Sequence, residues 1–139
     1  MRCLLPLLTL LVACAAEPPA PVAPVLDLEG LATKAAEIGA LVRAAQLCAL
    51  PLSQPAQDRA ARIEAAAILL HQQRGGTVAR DAFLRDMAPP AFEGRQRLRE
   101  RAAWCATKRP EVQQVDAMLN GAEGTALVQR AEDAEARLR

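Results

Sequence analysis

Apolar residues recur at spacings of three and four over most of this chain, which is the pattern of amphipathic α-helices. Residues 26–50 form the first such stretch. Pro51 ends it, while Ser53 and Pro55 suit the N-cap and the first turn of a second helix. The apolar positions of the first stretch are Leu31, Ala35, Ile38, Leu41, Val42, Ala45 and Cys48.

The second helix predicted from this pattern ends at Gly75-Gly76. A short third helix follows, with Thr77 as its N-cap and Pro89-Pro90 as its end. The apolar positions of these two helices are Ile63, Ala67 and Leu70, then Phe83 and Met87.

Three more helical segments complete the chain. One runs from about residue 91 to residue 107, Pro110 opens the next, and the last follows Asn120-Gly121. Their apolar stripes are Phe92, Leu98, Ala102 and Cys105; Val112, Val115 and Leu119; and Leu127, Ala131, Ala134 and Leu138. No segment alternates with the two-residue period of a half-buried strand, so the sequence predicts an all-α domain at residues 26–139.

The N-terminus has the pattern of an export signal. Arg2 precedes an apolar run from Leu4 to Ala13, which is followed by Glu17 and a cluster of prolines. A helix that crosses a membrane needs about 20 apolar residues, roughly twice the length of this run. Residues 1–13 are therefore predicted to be a cleavable signal peptide.

The segment Leu11-Val12-Ala13-Cys14 resembles the lipobox of bacterial lipoproteins. The resemblance covers processing only, and it implies that Cys14 becomes the acylated N-terminus and holds the protein to a membrane. Because Ala15 stands where an aspartate often retains such proteins in the inner membrane, the implied location is the periplasmic face of the outer membrane. Residues 14–25, with four prolines, form the expected tether. The alternative is cleavage after the small-residue pattern 13–15, which would release a soluble periplasmic protein.

Cys48 and Cys105 remain in the domain whichever way the signal is processed. An oxidising compartment favours a disulfide between them; two free thiols and a two-cysteine metal site are the alternatives. Both cysteines lie near the predicted C-terminal ends of helices, so a bond between them would make those helices roughly parallel. The expected fold is a disulfide-stapled up-down bundle of four long elements, with the short third helix crossing one end.

Charge and residue types exclude several functions. Without Arg2, 16 basic side chains balance 16 acidic ones, so nucleic-acid binding is not expected. The only histidine, His71, is predicted to be exposed at a helix C-terminus rather than to act as a catalytic base. Carboxylate pairs such as Asp58 with Glu64 and Glu132 with Asp133 fit surface helix patterning better than a catalytic dyad. No cofactor, metal site or enzymatic activity is predicted, although catalysis by carboxylates alone stays open.

Residues 93–101 hold the densest cluster of charge, with Arg95, Arg97, Arg99 and Arg101. These arginines either contact an anionic partner or form a solvated helix face on which Glu93 pairs with Arg97. The helical repeat places Arg95 with Arg99 on one face and Arg97 with Arg101 on another.

Two further features bear on partners. Trp104, the only tryptophan, either packs against the disulfide or anchors a partner. The final stretch, residues 126–139, either docks as the last helix of the bundle or projects and pairs with a second copy.

The sequence therefore predicts a small non-enzymatic envelope lipoprotein that acts as a binding or accessory subunit. The alternative is a soluble periplasmic protein that binds a small ligand or unfolded clients between its helices.

Overall fold

A computed structural model describes residues 26–139 of the protein, and these residues form four α-helices. They are α1 (Leu28–Cys48), α2 (Gln54–Asp86), α3 (Arg97–Asn120) and α4 (Ala122–Leu138). No strand occurs within that range, which confirms the predicted all-α bundle. The predicted signal peptide, Cys14 and the tether lie outside the described residues.

Helix α1 begins at a side-chain cap. The Asp27 carboxylate accepts a hydrogen bond of 2.8 Å from the Gly30 backbone N–H, satisfying one donor of the first turn. The helix ends before Ala49, whose φ of 50° takes the backbone into the left-handed region. These bounds lie within two residues of the predicted ones, and the centre of the predicted apolar stripe, Ala35 and Ile38, is buried.

Helix α2 reverses direction at its two glycines. Gly75 and Gly76 have non-helical backbone angles, and the φ of 64° at Gly76 is one that a side chain rarely allows. Beyond them the chain turns back, so that Phe83 stacks on His71 with 4.5 Å between the ring centroids. Residues 77–86, the last part of α2, correspond to the predicted short helix. They pack back along the first part of α2, residues 54–74, instead of crossing one end of the bundle.

Helix α3 continues through Pro110, so the prediction of two helices separated at this proline is wrong. A proline inside a helix removes one backbone hydrogen bond and costs about 3 kcal/mol. Val112, Val115 and Leu119, all buried, follow it on one face and offset part of this cost.

A disulfide joins Cys48 to Cys105, with 5.5 Å between their Cα atoms, as predicted. Cys48 is the last residue of α1, whereas Cys105 lies in the first half of α3. The inference that both cysteines end helices, and that those helices are parallel, is therefore wrong. From the disulfide, α3 runs back toward the middle of α1, where Val115 lines a groove together with Ile38.

Helix α4 packs against the rest of the bundle. Leu127, Ala131 and Ala134, which the sequence placed on one stripe, are each only 1% exposed. The final stretch is thus docked rather than projecting. Alanines make up much of the surrounding core, so the helices lie close together but bury little apolar area per residue.

The connection between α1 and α2 is fixed to α3 by Ser53. Ser53 occupies the predicted N-cap position, but its side chain does not cap α2. Its hydroxyl donates to the Asp116 carboxylate at 2.6 Å, and its backbone N–H donates to the same oxygen at 2.8 Å. The Asn120 amide in turn donates to the Ser53 hydroxyl at 2.8 Å.

Different parts of the chain meet at the two ends of the bundle. At one end Arg74, beside the glycine reversal, pairs with Glu29 at the start of α1, and Gln73 donates to the Leu138 carbonyl at the end of α4. The first residues of α3 contact Leu47, at the far end of α1. Because α1 has 21 residues, these two ends are about 30 Å apart.

Candidate interaction surface

The most exposed part of the domain is residues 91–107, here called the arm. Within it only Phe92, Trp104 and Cys105 are half-buried, and no residue is fully buried. Leu98 and Ala102 were predicted to share an apolar stripe with two of these, but both are exposed, Leu98 to 74%. The stripe therefore does not face the core, and the arm presents a large apolar side chain to solvent.

Three contacts hold the arm in place; the first and third join it to the bundle, and the second lies within the arm itself. The first is the Cys48–Cys105 disulfide. The second is a tilted aromatic pair, Phe92 with Trp104, whose ring centroids are 5.7 Å apart. In the third, the Arg101 guanidinium donates to the Leu47 carbonyl, one of the groups that a helix C-terminus leaves without a backbone partner. The arm is therefore exposed and yet held in one position.

Trp104 is half-buried, and its ring packs against Phe92. The two partners predicted for Trp104 were the disulfide and an external protein, and Phe92 was not among them. Little in the sequence indicates the pairing of Phe92 with Trp104, because the two residues are twelve positions apart and the start of α3 lies between them.

All four arginines of the predicted cluster are exposed: Arg95, Arg97, Arg99 and Arg101. Among residues 26–139, no ion pair involves any of them, and the predicted pair of Glu93 with Arg97 does not form. Four arginines against two glutamates give the arm a net charge of +2. A chain that is nearly neutral overall thus carries a local excess of positive charge.

The arginines divide into two pairs, as the helical repeat predicts. Arg97 and Arg101 line a groove of about 320 Å³, whereas Arg95 and Arg99 do not. Leu98 lies on the same side of this groove as Arg97 and Arg101. The groove, here called the arm groove, is completed by Leu47, Pro89, Pro90, Ala91 and Phe92. It therefore combines an apolar lining with two guanidinium groups.

A second groove lies between α1 and α3 and has a volume of about 310 Å³. Three of its four charged side chains, Lys34, Glu37 and Glu111, already have partners. Lys34 pairs with Glu37 at 2.9 Å, which raises the pKa of Lys34, and Glu111 pairs with Lys108 at 2.7 Å. This groove offers a ligand fewer unpaired charges than the arm groove.

The carboxylates considered as catalytic candidates have partners of their own. Glu64 forms a bidentate ion pair with Arg43, whose Nη1 and Nη2 donate to the two carboxylate oxygens at 3.0 and 2.6 Å. This hydrogen bonding raises the pKa of Arg43. Asp58 accepts from the Gln54 amide at 2.8 Å, and Glu132 lies 3.4 Å from Arg62. These contacts fit a structural role for the carboxylates.

His71 is half-buried in its stack with Phe83, so the prediction that it is exposed is wrong. Local spacing does not predict this contact, because it arises only when the segment after the two glycines folds back over the helix that carries His71.

Over residues 26–139, no group of three or more His, Cys, Asp or Glu side chains is placed to hold a metal ion. In the same range, no helix is long and apolar enough to cross a bilayer. Comparison of the chain with known protein families, curated proteins and solved structures gives no match. The arm groove is a candidate site on its geometry alone, with an apolar lining beside two exposed arginines.

Proposed function

We propose that the protein is a small non-enzymatic lipoprotein of the cell envelope that acts as an accessory subunit and binds a protein partner through the arm. The observation that carries this proposal is the arm itself. It exposes Leu98 and four unpaired arginines while a covalent bond fixes it to the bundle. A fixed, exposed surface costs little conformational entropy to bind, which favours a role in recognition.

The disulfide also supports the cell-envelope location. Such bonds form and persist in oxidising compartments, which agrees with the predicted export signal. In this proposal the acylated Cys14 anchors the chain at the periplasmic face of the outer membrane. The alternative is a soluble periplasmic protein that binds a small ligand or unfolded clients, for which the groove between α1 and α3 would be the binding site.

The intact mass of the mature protein tests the anchor. Acylation predicts a chain that begins at Cys14, carries diacylglycerol and stays with the membrane fraction. Cys14→Ser is the control, because it removes the thiol and should leave the protein without lipid. An unmodified mature wild-type chain in the soluble fraction would favour the alternative.

Cross-linking in the native envelope tests the binding role. A photoreactive amino acid at Leu98 is expected to give a discrete protein adduct, identified by mass spectrometry. The matched control places the same group at Gln129, which is exposed on α4, far from the arm in the sequence. Identical adducts from both positions, or none from Leu98, would contradict the proposal; an adduct with a second copy would identify a homodimer as the partner.

A further inference from the structure

We infer that the arm groove binds an acidic helical segment of the partner protein, one that inserts an apolar side chain between two carboxylates. This inference rests on the proposed function and deepens it by naming the chemistry of the partner.

Most of the residues that line the arm groove are apolar. Leu47, Pro89 and Phe92 give it a hydrocarbon lining, and Leu98, at 74% exposure, forms part of the arm's side. A volume of about 320 Å³ accommodates a leucine or phenylalanine side chain. Its insertion would remove both that side chain and Leu98 from water, and this burial of apolar surface would stabilise the complex.

The positive charge of the groove comes from the pair of arginines beside Leu98. Arg97 and Arg101 are four positions apart on α3, so they lie one above the other on the same face. Carboxylates at positions i and i+4 of a partner helix have the same spacing, and each can accept two hydrogen bonds from a guanidinium. Arg101 uses one of its five N–H groups on the Leu47 carbonyl and keeps the others for a ligand.

Shape and position favour a protein segment over an anionic bilayer. The groove is concave, and a bilayer surface offers no protruding side chain to fill it. Leu98 is the only large apolar side chain of α3 that is strongly exposed, which is too little area for stable insertion into lipid. The arm also lies about 30 Å from Leu28, the end of α1 from which the chain leads back to Cys14.

Peptide binding to the full mature chain tests this inference. The first probe is a synthetic 18-residue helical peptide without tryptophan, with a leucine stripe flanked by glutamates; the second has lysine in place of every glutamate. Trp104, the only tryptophan of the chain, contacts Phe92 of the groove, so its fluorescence reports binding. The acidic peptide is expected to saturate the signal, with an affinity that falls as salt rises; the basic peptide should bind more weakly by about tenfold or more.

Two double variants with the same change of charge locate the site. Arg97→Glu with Arg101→Glu should weaken binding of the acidic peptide by about tenfold or more and improve binding of the basic one. Arg95→Glu with Arg99→Glu should leave both affinities nearly unchanged, because these arginines lie outside the groove. All four side chains are exposed, and circular dichroism checks that both variants stay folded.

Equal loss of binding in the two double variants would overturn the inference in favour of a diffuse basic patch. The inference would also be overturned if the protein bound phosphatidylglycerol vesicles as tightly as the acidic peptide, because the arm would then recognise a lipid surface. Failure of the acidic peptide, while Leu98 still cross-links to a protein in the envelope, would refute this inference and leave the proposed function standing. Failure of both experiments would refute both proposals.

Discussion

At the scale of single residues, the contact between Ser53 and Asp116 shows what the sequence pattern leaves out. The positions of caps are local and can be predicted, and Ser53 does stand at the N-cap of α2. The partner of its hydroxyl is Asp116, which is 63 positions away, and local spacing carries no information about such a pair. The same applies to the stack of His71 on Phe83, which depends on how the chain folds back at Gly75 and Gly76.

Asp116 should make the stability of the protein depend on pH. Hydrogen bonds from the Ser53 hydroxyl and backbone N–H hold the pKa of Asp116 below its ordinary value of 3.8. A lowered folded-state pKa means that this carboxylate stabilises the fold fully above about pH 5 and loses its effect as the pH falls through 3.8 and below. Asp116→Asn should therefore lower the free energy of unfolding by about 1 kcal/mol at pH 7. Urea unfolding at several pH values checks this, and a difference that grows toward acid pH would contradict it.

Gly124 is required by the tight turn between α3 and α4. A Cβ atom at this position would overlap the backbone of Leu119. Gly124→Ala is expected to lower the free energy of unfolding by about 1–3 kcal/mol, the usual cost of overpacking. Gly121→Ala is the matched control from the same turn, because its Cβ would meet only the carbonyls of Ala117 and Met118 at 3.5 Å. Equal effects of the two substitutions in thermal unfolding would refute this explanation.

At the scale of helices, periodicity predicted the elements better than their ends or their packing. Most positions of the apolar stripes of α1 and α4 are buried as the spacing indicates, and the remaining ones are half-buried. The stripe of the arm has the same spacing but is exposed, because a pattern shows which residues share a face and not whether another element covers that face. At Pro110 the local rule predicted a break, whereas tertiary packing of the residues beyond it keeps α3 continuous.

Helix α4 should be essential for stability because it closes the core. Burial of Leu127 alone is worth about 2–5 kcal/mol, and deletion of residues 125–139 also uncovers the apolar side chains of α2 beneath it. We expect this truncation to lower the thermal midpoint strongly, while removal of Arg139 alone, which is exposed, should not. A truncated chain that unfolds at the wild-type midpoint would show that α4 is not part of the core.

At the scale of the whole molecule, stability depends on a covalent bond as well as on packing. The core is rich in alanine, and the Cys48–Cys105 bond closes a loop with a sequence separation of 57 residues. In the chain-entropy model such a loop stabilises the folded state by about 4 kcal/mol. The double variant Cys48→Ser with Cys105→Ser should therefore lose about that much free energy of unfolding.

The same variant separates the effect of the bond from the effect of reducing conditions. A reductant should lower the thermal midpoint of the wild-type protein and leave that of the double serine variant unchanged. Hydrogen exchange of residues 97–107 should become faster in the variant, because of the contacts described above only the hydrogen bond from Arg101 to Leu47 then joins the arm to the bundle. A wild-type midpoint that does not respond to reductant would contradict the role assigned to the bond.

The reversal at Gly75 and Gly76 offers a practical point of entry for protein engineering. Residues 72–78 are all exposed, and no atom lies within 4 Å of where a side chain at Gly76 would begin. An epitope or fluorescent domain inserted between the two glycines would lengthen an existing turn, and the entropic cost of a longer loop grows only slowly with its length. Because this turn lies at the opposite end of the bundle from the arm, such a fusion would report where the protein resides in the cell without covering the arm groove.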